Sequence, residues 1–492
     1  MTKNTLALLI LFTVLLFSII MHLRIFTLPI QGKDTWRQSK TGWTIRNFVR
    51  HDANIFNPRQ GYLTDEGNIE RYEFPIMQWS IAMIEKVTGE HILILRLCVY
   101  LISLLTLLAV YKLAFLLSED QVTSAIAVFM FVFFPTFFYN ATSIMPDNIA
   151  LCFGMFYVLF FFRYLKSGMQ RDLIYAGIFI ALAGLAKLPF ILLGALALVR
   201  FVEILFNRQP NRWRDLTRFT MVNILALLPP LIWYAIVIPD WRGNNIAAGF
   251  TKDFVGWPLF LSFLQDQIFK NFSTEILNPP SLVIFFIGVY YCIRDRLFFF
   301  VKPVYFYIPL LVLFMYFFYV LNVIREGHDY YLLPFYPVFV LPVILALHKI
   351  RHWKNPAKIF IAILILAMPV VCWLRVKNYW DIKFAYFNHD FFNCRDQLNT
   401  IGTRDDKVIV INDQSFAIFL YILDKQGYVF WNDNLPVGWI RDIIKRHGTT
   451  YLFSDSRIIE NQERFNECIS EMVLECGTIR VFRLKKPDEI HD

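Results

Sequence analysis

The sequence predicts an all-α membrane protein, a polytopic bundle of about eleven transmembrane helices. Hydrophobic residues make up 57% of the 492 residues and charged residues only 18%, whereas a typical soluble domain has about 25% charged residues. Apolar runs long enough to cross about 30 Å of hydrocarbon also recur along the chain. These observations exclude a soluble enzyme, a disordered scaffold and a coiled coil.

The first apolar run, Thr5 to Leu23, carries no acidic or basic side chain apart from His22. It is longer than the apolar region of a signal peptide, and no small-residue cleavage site follows it. We therefore expect a retained first helix with its N-terminus inside. The further apolar runs are 92–117, 122–139, 148–165, 173–186, 188–206, 219–238, 281–293, 304–321, 331–347 and 359–374.

The distribution of Lys and Arg indicates the topology. With the N-terminus inside, the inner connections hold 13 Lys and Arg, whereas the short outer loops carry far fewer, Lys187 and Arg325. This asymmetry follows the positive-inside rule and accounts for the net charge of +9 without a nucleic-acid partner. The inner connections are 118–121, 166–172, 207–218, 294–303 and 348–358.

Two domains are expected: a membrane domain over 1–375, with a large first outer loop at 24–90, and an extracytoplasmic α/β domain over 376–492. In the tail, "DKVIVIND" and "TTYLFSD" are typical of strands. Between them, "SFAIFLYILDKQG" and "VGWIRDIIKRHG" indicate helices that end at glycines. Whether any two of Cys394, Cys468 and Cys476 are bridged stays open, including the pair Cys468 and Cys476.

The first candidate site is the pair Asp34 and Arg37, in "KDTWRQ" directly after the first helix. Residues three apart on a helical turn point the same way. A carboxylate beside a guanidinium stays ionised and can accept a proton, and Arg can hold a phosphate through two parallel hydrogen bonds. An ordinary ion pair beside the membrane is the alternative.

Three further positions lie on the predicted outer face. Asp147, in "SIMPDNIA", stands where a helix begins, so it can cap that helix or bind a substrate hydroxyl. Lys187, in "GLAKLPF", is an outer cation whose alternative role is that of a snorkelling lysine. Charged groups near lipid cost about 2.5–3.5 kcal/mol each at mid-bilayer, which makes them functional candidates.

The third position is "REGHDYYLLPFYP", which holds Arg325, His328, Tyr330 and Tyr331. Tyrosines at a membrane interface are ordinary, but Arg and His beside them suit an anionic headgroup. Another segment, "YEFPIMQW", is aromatic and apolar and contains an acid, so a lipid tail or sugar could lie against it. Its candidate cavity residues are Glu73 and Trp79.

Carboxylates and cations at one face are the groups needed for glycosyl transfer from a lipid-linked sugar phosphate. A general base takes the proton of the acceptor hydroxyl, and cations stabilise the departing phosphate. Arg and Lys side chains are enough to stabilise the charge on a departing phosphate. We therefore predict no required cofactor, and a divalent metal is possible but not indicated.

The chain resembles the polytopic C-type glycosyltransferases, in particular the bacterial branch related to protein O-mannosyltransferases and lipid A aminoarabinose transferase. The resemblance rests on the order of Asp34-x-x-Arg37, "EFPIMQW", "LRL", "MPDNIAL" and "HDYYLLPFYP". It implies a polyprenyl-phosphate sugar donor used on the outer face of the bacterial cytoplasmic (inner) membrane. It also implies that Asp34 is the catalytic base, that Arg37 contacts the donor phosphate and that Asp147 is a second acid.

The sequence departs from that family in two places. Many relatives have Lys-Pro-Pro where this chain has Glu73-Phe74-Pro75, so a phosphate-binding lysine is missing there. Lys187 or Arg325 could replace it. Many relatives also carry an acid directly after the first Asp, where this chain has Thr35.

Three functions follow from these observations. The leading one is transfer of a sugar from a polyprenyl phosphate to a lipid, glycan or protein acceptor. The second is a polysaccharide ligase or polymerase that uses lipid-diphosphate-linked glycans, with catalysis centred on Arg and His. The third is a lipid or sugar transporter (a flippase), although transporters place polar groups at mid-membrane in matching halves and no such halves are evident.

Overall fold

The structure is a computed structural model that describes residues 2–207, 210–241, 256–325, 328–434 and 436–490. It divides into two units, which we call the membrane unit and the sheet unit. The membrane unit comprises Met1–Leu28, Tyr72–Met77 and His91–Lys377, and the sheet unit comprises Pro29–Arg71, Gln78–Glu90 and Asn378–Asp492.

The membrane unit is helical, and each predicted apolar run overlaps one of its helices. The α-helices are Lys3–His22, Ile92–Ser118, Gln121–Val132, Pro135–Asn140, Asp147–Ser167, Gln170–Ala186, Ala195–Phe206, Arg212–Val237, Trp257–Asp266, Pro279–Arg294, Val304–Tyr319, Leu321–Arg325, Tyr336–Ile350 and Asn355–Val376. Short 3₁₀ segments are Ile25–Thr27, Leu188–Gly194, Ile238–Asp240 and Asp329–Phe335, and Gln267–Ile276 is a π-helix.

The expected count of eleven crossings is not confirmed. Within the described residues, seven helices are long and apolar enough to cross a membrane, or eight if the bent pair Trp257–Ile276 and Pro279–Arg294 is one span. Proline explains part of the difference. Pro135 has no N–H to donate, so the predicted run 122–139 is split into two helices.

Ion pairs gather the predicted inner connections at one end of the membrane unit, which we call the basic end. They are Lys166–Glu119 at 2.5 Å, Arg351–Asp120 at 3.6 Å and Lys349–Asp295 at 2.6 Å. These pairs join four of the five connections named from the sequence. Four of the five predicted inner connections therefore lie at the same end of the membrane unit.

The sheet unit contains one seven-stranded sheet, in the order β2-β1-β4-β3-β5-β7-β6. The strands are β1 Arg59–Thr64, β2 Gly67–Ile69, β3 Val408–Val410, β4 Gly427–Val429, β5 Tyr451–Ser454, β6 Ile469–Cys476 and β7 Ile479–Leu484. β1, β4, β3 and β5 are parallel neighbours, and the pairs β1–β2, β5–β7 and β6–β7 are antiparallel.

Helices cover both faces of this sheet. The sheet unit contains the helices Thr35–Arg50, Asp390–Asn393, Arg395–Leu398, Ile418–Leu423, Val437–His447, Arg457–Glu460 and Phe465–Cys468, most of the helix Ile76–Thr88, and 3₁₀ turns at Ile382–Phe384 and Pro487–Glu489. Successive side chains of β3 alternate between the faces. Val408 and Val410 pack in a cluster with Trp43, whereas Ile409 packs in the opposite cluster with Ile440.

Most of the first outer loop belongs with the tail, which the sequence did not indicate. The prediction assigned residues 24–90 to the membrane domain, but Pro29–Arg71 and Gln78–Glu90 fall in the sheet unit, and β1 and β2 extend the sheet that the tail begins. β1 joins the tail where Tyr62 lies opposite Gly427, and on the other side of Gly427 a Cβ would lie 2.1 Å from the carbonyl oxygen of Val408 in β3. Only glycine fits this close approach between strands.

A disulfide joins Cys394 to Cys476, and Cys468 is a buried thiol. The sequence had left this pairing open and had named Cys468 as one possible partner. Cys394 belongs to the short helices under the sheet, and Cys476 ends β6. The bridge therefore ties one edge of the sheet to the helices that cover it.

Removing this bridge is expected to destabilise the sheet unit. Cys394→Ser combined with Cys476→Ser should lower its free energy of unfolding by about 2–5 kcal/mol, because the bridge constrains the unfolded chain over a sequence separation of 82. Hydrogen exchange of sheet-unit peptides in the full-length protein measures the effect. Cys468→Ala is the control, and rapid alkylation of both Cys394 and Cys476 in the folded, unreduced protein would contradict the pairing.

Candidate active site

Asp34 lies in the sheet unit, immediately before the helix Thr35–Arg50, and has a left-handed backbone with φ 56°. Few residues other than glycine adopt this conformation, and Asp and Asn are among those that do. The turn before it is held in place. Lys33 N donates to the carbonyl oxygen of Tyr379 at 2.7 Å, and Thr35 Oγ1 donates to that of Gly32 at 2.5 Å.

Gly32 makes this turn possible. Its φ is 82°, and a Cβ there would lie 2.2 Å from the carbonyl oxygen of Tyr379. Gln31 Nε2 also donates to the carbonyl oxygen of Trp380 at 2.8 Å. The backbone around Asp34 is therefore fixed by the segment that follows the last membrane helix, and strained residues held in this way are common at functional sites.

Arg37 follows in the first turn of the same helix and is 8% exposed. A guanidinium keeps its positive charge under all ordinary conditions. Asp34 is half-buried. The carboxylate and the permanent cation are thus three residues apart at the start of this helix, with Asp34 just outside it.

The far end of the helix Thr35–Arg50 is anchored by charge. Arg50 donates to both carboxylate oxygens of Glu90, at 2.8 and 2.7 Å, and to Asp424 at 2.8 Å. The Arg46 guanidinium lies 3.7 Å from the ring centroid of Tyr421. Burial alone would raise the pKa of the Asp424 carboxyl, but the hydrogen bond from Arg50 and the charges of Arg46 and Arg50 lower it below its ordinary value.

This network predicts a pH dependence. Because the pKa of Asp424 is lower in the folded state, its contribution to stability is complete above the unfolded value of about 3.9 and is lost as the pH falls through the folded value. Asp424→Asn should lower the free energy of unfolding at pH 7 by about 1.5–3 kcal/mol and reduce the acid-dependent loss. Urea unfolding between pH 3 and pH 7 measures both effects.

The exposed acid Asp65 provides the control for that experiment. Its side chain is 70% exposed and pairs with His447 Nε2 at 2.9 Å. Exposed pairs contribute about 0–1 kcal/mol, so Asp65→Asn should leave stability at pH 7 nearly unchanged. Equal effects of the two substitutions would contradict the role assigned to Asp424.

In the membrane unit, Asp147 and Lys187 form a buried ion pair. Lys187 Nζ lies 3.3 Å from Asp147 Oδ1, and the two side chains are 12% and 2% exposed. Asp147 begins the helix Asp147–Ser167, and Lys187 directly follows the helix Gln170–Ala186. Two helix ends thus bring these predicted residues together.

Two of the predicted tyrosines complete this cluster. Lys187 Nζ is 5.0 Å from the ring centroid of Tyr331 and 5.6 Å from that of Tyr330. The ring of His328 lies 5.6 Å from the Tyr330 ring. Cations are attracted to aromatic faces at these distances. The side chain of Arg325 lies outside the described residues.

Glu73 and Trp79 fall in different units, although the sequence placed them in one cavity. Glu73 is half-buried in the short segment Tyr72–Met77. Phe74 N next to it donates to the carbonyl oxygen of Leu185 at 2.9 Å, two residues before the cluster lysine. In the sheet unit, Trp79 Nε1 donates to the carbonyl oxygen of Ala53 at 2.9 Å. The Trp79 indole therefore holds in place the turn that follows the helix Thr35–Arg50.

Two further charged residues of the membrane unit are buried. Asp329 is 5% exposed and accepts a hydrogen bond from Thr136 Oγ1 at 3.1 Å. Arg96 is 1% exposed and donates to the carbonyl oxygens of Leu28 and Thr142, at 2.9 and 2.8 Å. A charge inside an apolar run is the sequence signal that could have identified Arg96.

Metal ligands do not gather in the part of the chain that the structure describes. No group of three or more His, Cys, Asp or Glu there could hold a metal ion. The Lys187 cluster brings together one ammonium, one carboxylate and two aromatic rings. Metal independence remains a prediction.

The comparisons with known proteins agree with the resemblance found in the sequence. Residues 73–233 match the family model of dolichyl-phosphate-mannose-protein mannosyltransferases. ArnT from Cupriavidus metallidurans in the apo state matches with a TM-score of 0.62 and 14% identity, over 97% of this chain and 99% of that chain. No curated protein matches the chain.

Two further structures hold lipid carriers. ArnT from Cupriavidus metallidurans bound to undecaprenyl phosphate matches with a TM-score of 0.61 and 14% identity, over 98% of this chain and 97% of that chain. The second is the archaeal oligosaccharyltransferase AglB from Archaeoglobus fulgidus, in complex with an inhibitory peptide and a dolichol-phosphate. It matches with a TM-score of 0.56 and 15% identity, over 93% of this chain and 70% of that chain.

The comparisons support the predicted resemblance at the level of the fold: this is an integral membrane protein whose fold is similar to those of ArnT and AglB. Among them it is similar to ArnT over nearly its whole length. The segment that matches the mannosyltransferase model contains both Asp147 and Lys187.

Proposed function

We propose that this protein transfers a sugar from a polyprenyl-phosphate-linked donor to a lipid, glycan or protein acceptor on the extracytoplasmic face of the bacterial inner membrane. One observation carries the proposal. Lys187, whose side chain is 12% exposed, lies against the carboxylate of Asp147 and the rings of Tyr330 and Tyr331. Lys187 and Asp147 both fall in the segment that matches the mannosyltransferase model. The similarity to structures that hold polyprenyl phosphates supports it at the level of the fold.

The proposed reaction is a displacement at the anomeric carbon of the sugar. The acceptor oxygen forms a bond to that carbon, the bond from the carbon to the phosphate oxygen breaks, and the electron pair leaves with the polyprenyl phosphate. Asp34 accepts the proton of the acceptor hydroxyl as the new bond forms. Its fixed backbone and half-buried position suit a group that must be oriented before the reaction.

Cations have the second role in this mechanism. Negative charge develops on the departing phosphate, and prearranged positive groups stabilise it. We assign this role to Arg37 and Lys187, with Arg325 and His328 as further donor-binding candidates. Asp147 offsets part of the cost of burying the Lys187 ammonium and holds it in position.

The test is sugar transfer by the purified full-length protein with synthetic polyprenyl-phosphate sugars and a set of lipid, glycan and peptide acceptors. Release of polyprenyl phosphate together with a glycosylated product is expected, with and without EDTA. Mass spectrometry of the lipid-linked sugars that accumulate in cells lacking the protein identifies the donor.

The alternatives give different results in the same assay. A ligase or polymerase would use only diphosphate-linked glycans, with His328→Ala inactive and Asp34→Asn fully active. A transporter would move lipid or sugar across liposomes without chemical change. Reporter fusions after Lys40 and after Gly402 test the topology, and either fusion on the cytoplasmic side would contradict the proposed orientation.

A further inference from the structure

A cleft of about 570 Å³ lies at the basic end of the membrane unit, between the helices Ile92–Ser118 and Asp147–Ser167. Its polar and aromatic lining is Tyr111, Lys112, Phe115, Glu119, Arg163 and Lys166. Asp147 and Lys166 stand near opposite ends of one helix, so about 30 Å separates this cleft from the Lys187 cluster at 1.5 Å per residue. The cleft is therefore separate from the site proposed for the donor.

The lining of the cleft carries more positive than negative charge. Lys166 pairs with Glu119 at 2.5 Å, and Arg163 pairs with Asp172 at 3.3 Å. Lys112 is exposed and makes no ion pair with any residue that the structure describes. One cation is thus left for an anion from outside the protein.

The helix that carries Lys112 leads to the cleft along an apolar stripe. The exposed residues of this stripe follow one another at helical spacings of three or four, and Lys112 stands in the series between Leu108 and Phe115. Its apolar members are Leu97, Leu101, Leu105, Leu108 and Phe115, which are 41–58% exposed. An acyl chain could lie along the stripe while a headgroup occupies the cleft.

We propose that this cleft binds the phosphodiester headgroup of an anionic glycerophospholipid. Basic pockets between transmembrane helices attract such headgroups, and each Lys or Arg near an anionic surface contributes about a fivefold change in affinity. Lys112 contacts the phosphate, and Phe115 packs against the first part of the acyl chain. The lipid holds together two helices, one of which begins with Asp147.

The test is native mass spectrometry of the full-length protein with phosphatidylglycerol and phosphatidylcholine. Wild type should retain phosphatidylglycerol more strongly than phosphatidylcholine. Lys112→Gln should weaken that binding about fivefold, on the charge contribution above. Lys112→Arg should bind phosphatidylglycerol as wild type does, which shows that charge is the cause, and an unchanged thermal unfolding curve shows that Lys112→Gln is folded.

Arg214→Gln is the matched control. The Arg214 side chain is 58% exposed and lies in the first turn of another helix, Arg212–Val237, which starts at the basic end. This control should bind phosphatidylglycerol as wild type does. Equal retention of the two lipids by wild type, or an equal loss in the control, would overturn the proposal and leave Lys112 as a snorkelling lysine. Retention of undecaprenyl phosphate but not phosphatidylglycerol at this cleft would also overturn it.

Discussion

Asp34→Asn is expected to lower sugar transfer by about 10²–10⁴-fold, the usual contribution of a general base. The amide has nearly the shape of the carboxylate but cannot take the proton of the acceptor. Asn also tolerates the left-handed backbone that Asp34 has, with φ 56°, so the turn before the helix should be unchanged. Initial rates at saturating donor and acceptor measure the loss.

Asp396→Asn serves as the control in the same unit, since this side chain is 91% exposed. It should transfer sugar at the wild-type rate. Donor binding by Asp34→Asn should also be retained, because the substitution leaves the cations in place. Wild-type turnover by Asp34→Asn would show that Asp34 is not the base.

Lys187→Met is expected to have the second large effect. It removes the cation from a pair in which Asp147 is 1% exposed, and an uncompensated buried charge costs about 3–5 kcal/mol. Stability should therefore fall, and transfer should be lost because the donor phosphate loses a cation. Thermal unfolding of the full-length protein and donor binding measure the two effects separately.

The double variant Lys187→Met with Asp147→Asn separates structure from function. The double variant has no unpaired buried carboxylate, so it should regain most of the stability that Lys187→Met loses. Transfer should remain absent. Recovery of transfer along with stability would mean that the pair only supports the fold. The pair Lys302–Glu203, whose side chains are 68% and 21% exposed, provides the control. Lys302→Met should have little effect on stability.

Local signals in the sequence predicted the helices well. Apolar runs identified the membrane helices, and the charge pattern identified which connections share an end. The crossing count was less predictable because prolines and bends divide runs that composition alone treats as continuous. The 105° bend between the helices that end at Ile276 and begin at Pro279 is one such case.

Contacts between distant segments could not be predicted in the same way. "MPDNIAL" marked Asp147 as the start of a helix, but its pairing with Lys187 depends on how two helix ends meet. β1 contains Arg59, Gln60 and Gly61 and has no clear alternating pattern, so its place beside β4 was not visible. Pairing across long stretches of chain leaves little trace in any one segment.

The parallel pairing of β1 with β4 has a consequence for how the protein is made. β1 is synthesised before most of the membrane helices, yet its partner β4 is synthesised only after the last of them. The first loop must therefore wait, incompletely folded, until nearly the whole chain has left the ribosome. A chain cut at residue 376 would lack that partner, so truncation would disturb the segment that holds Asp34 as well as remove the tail.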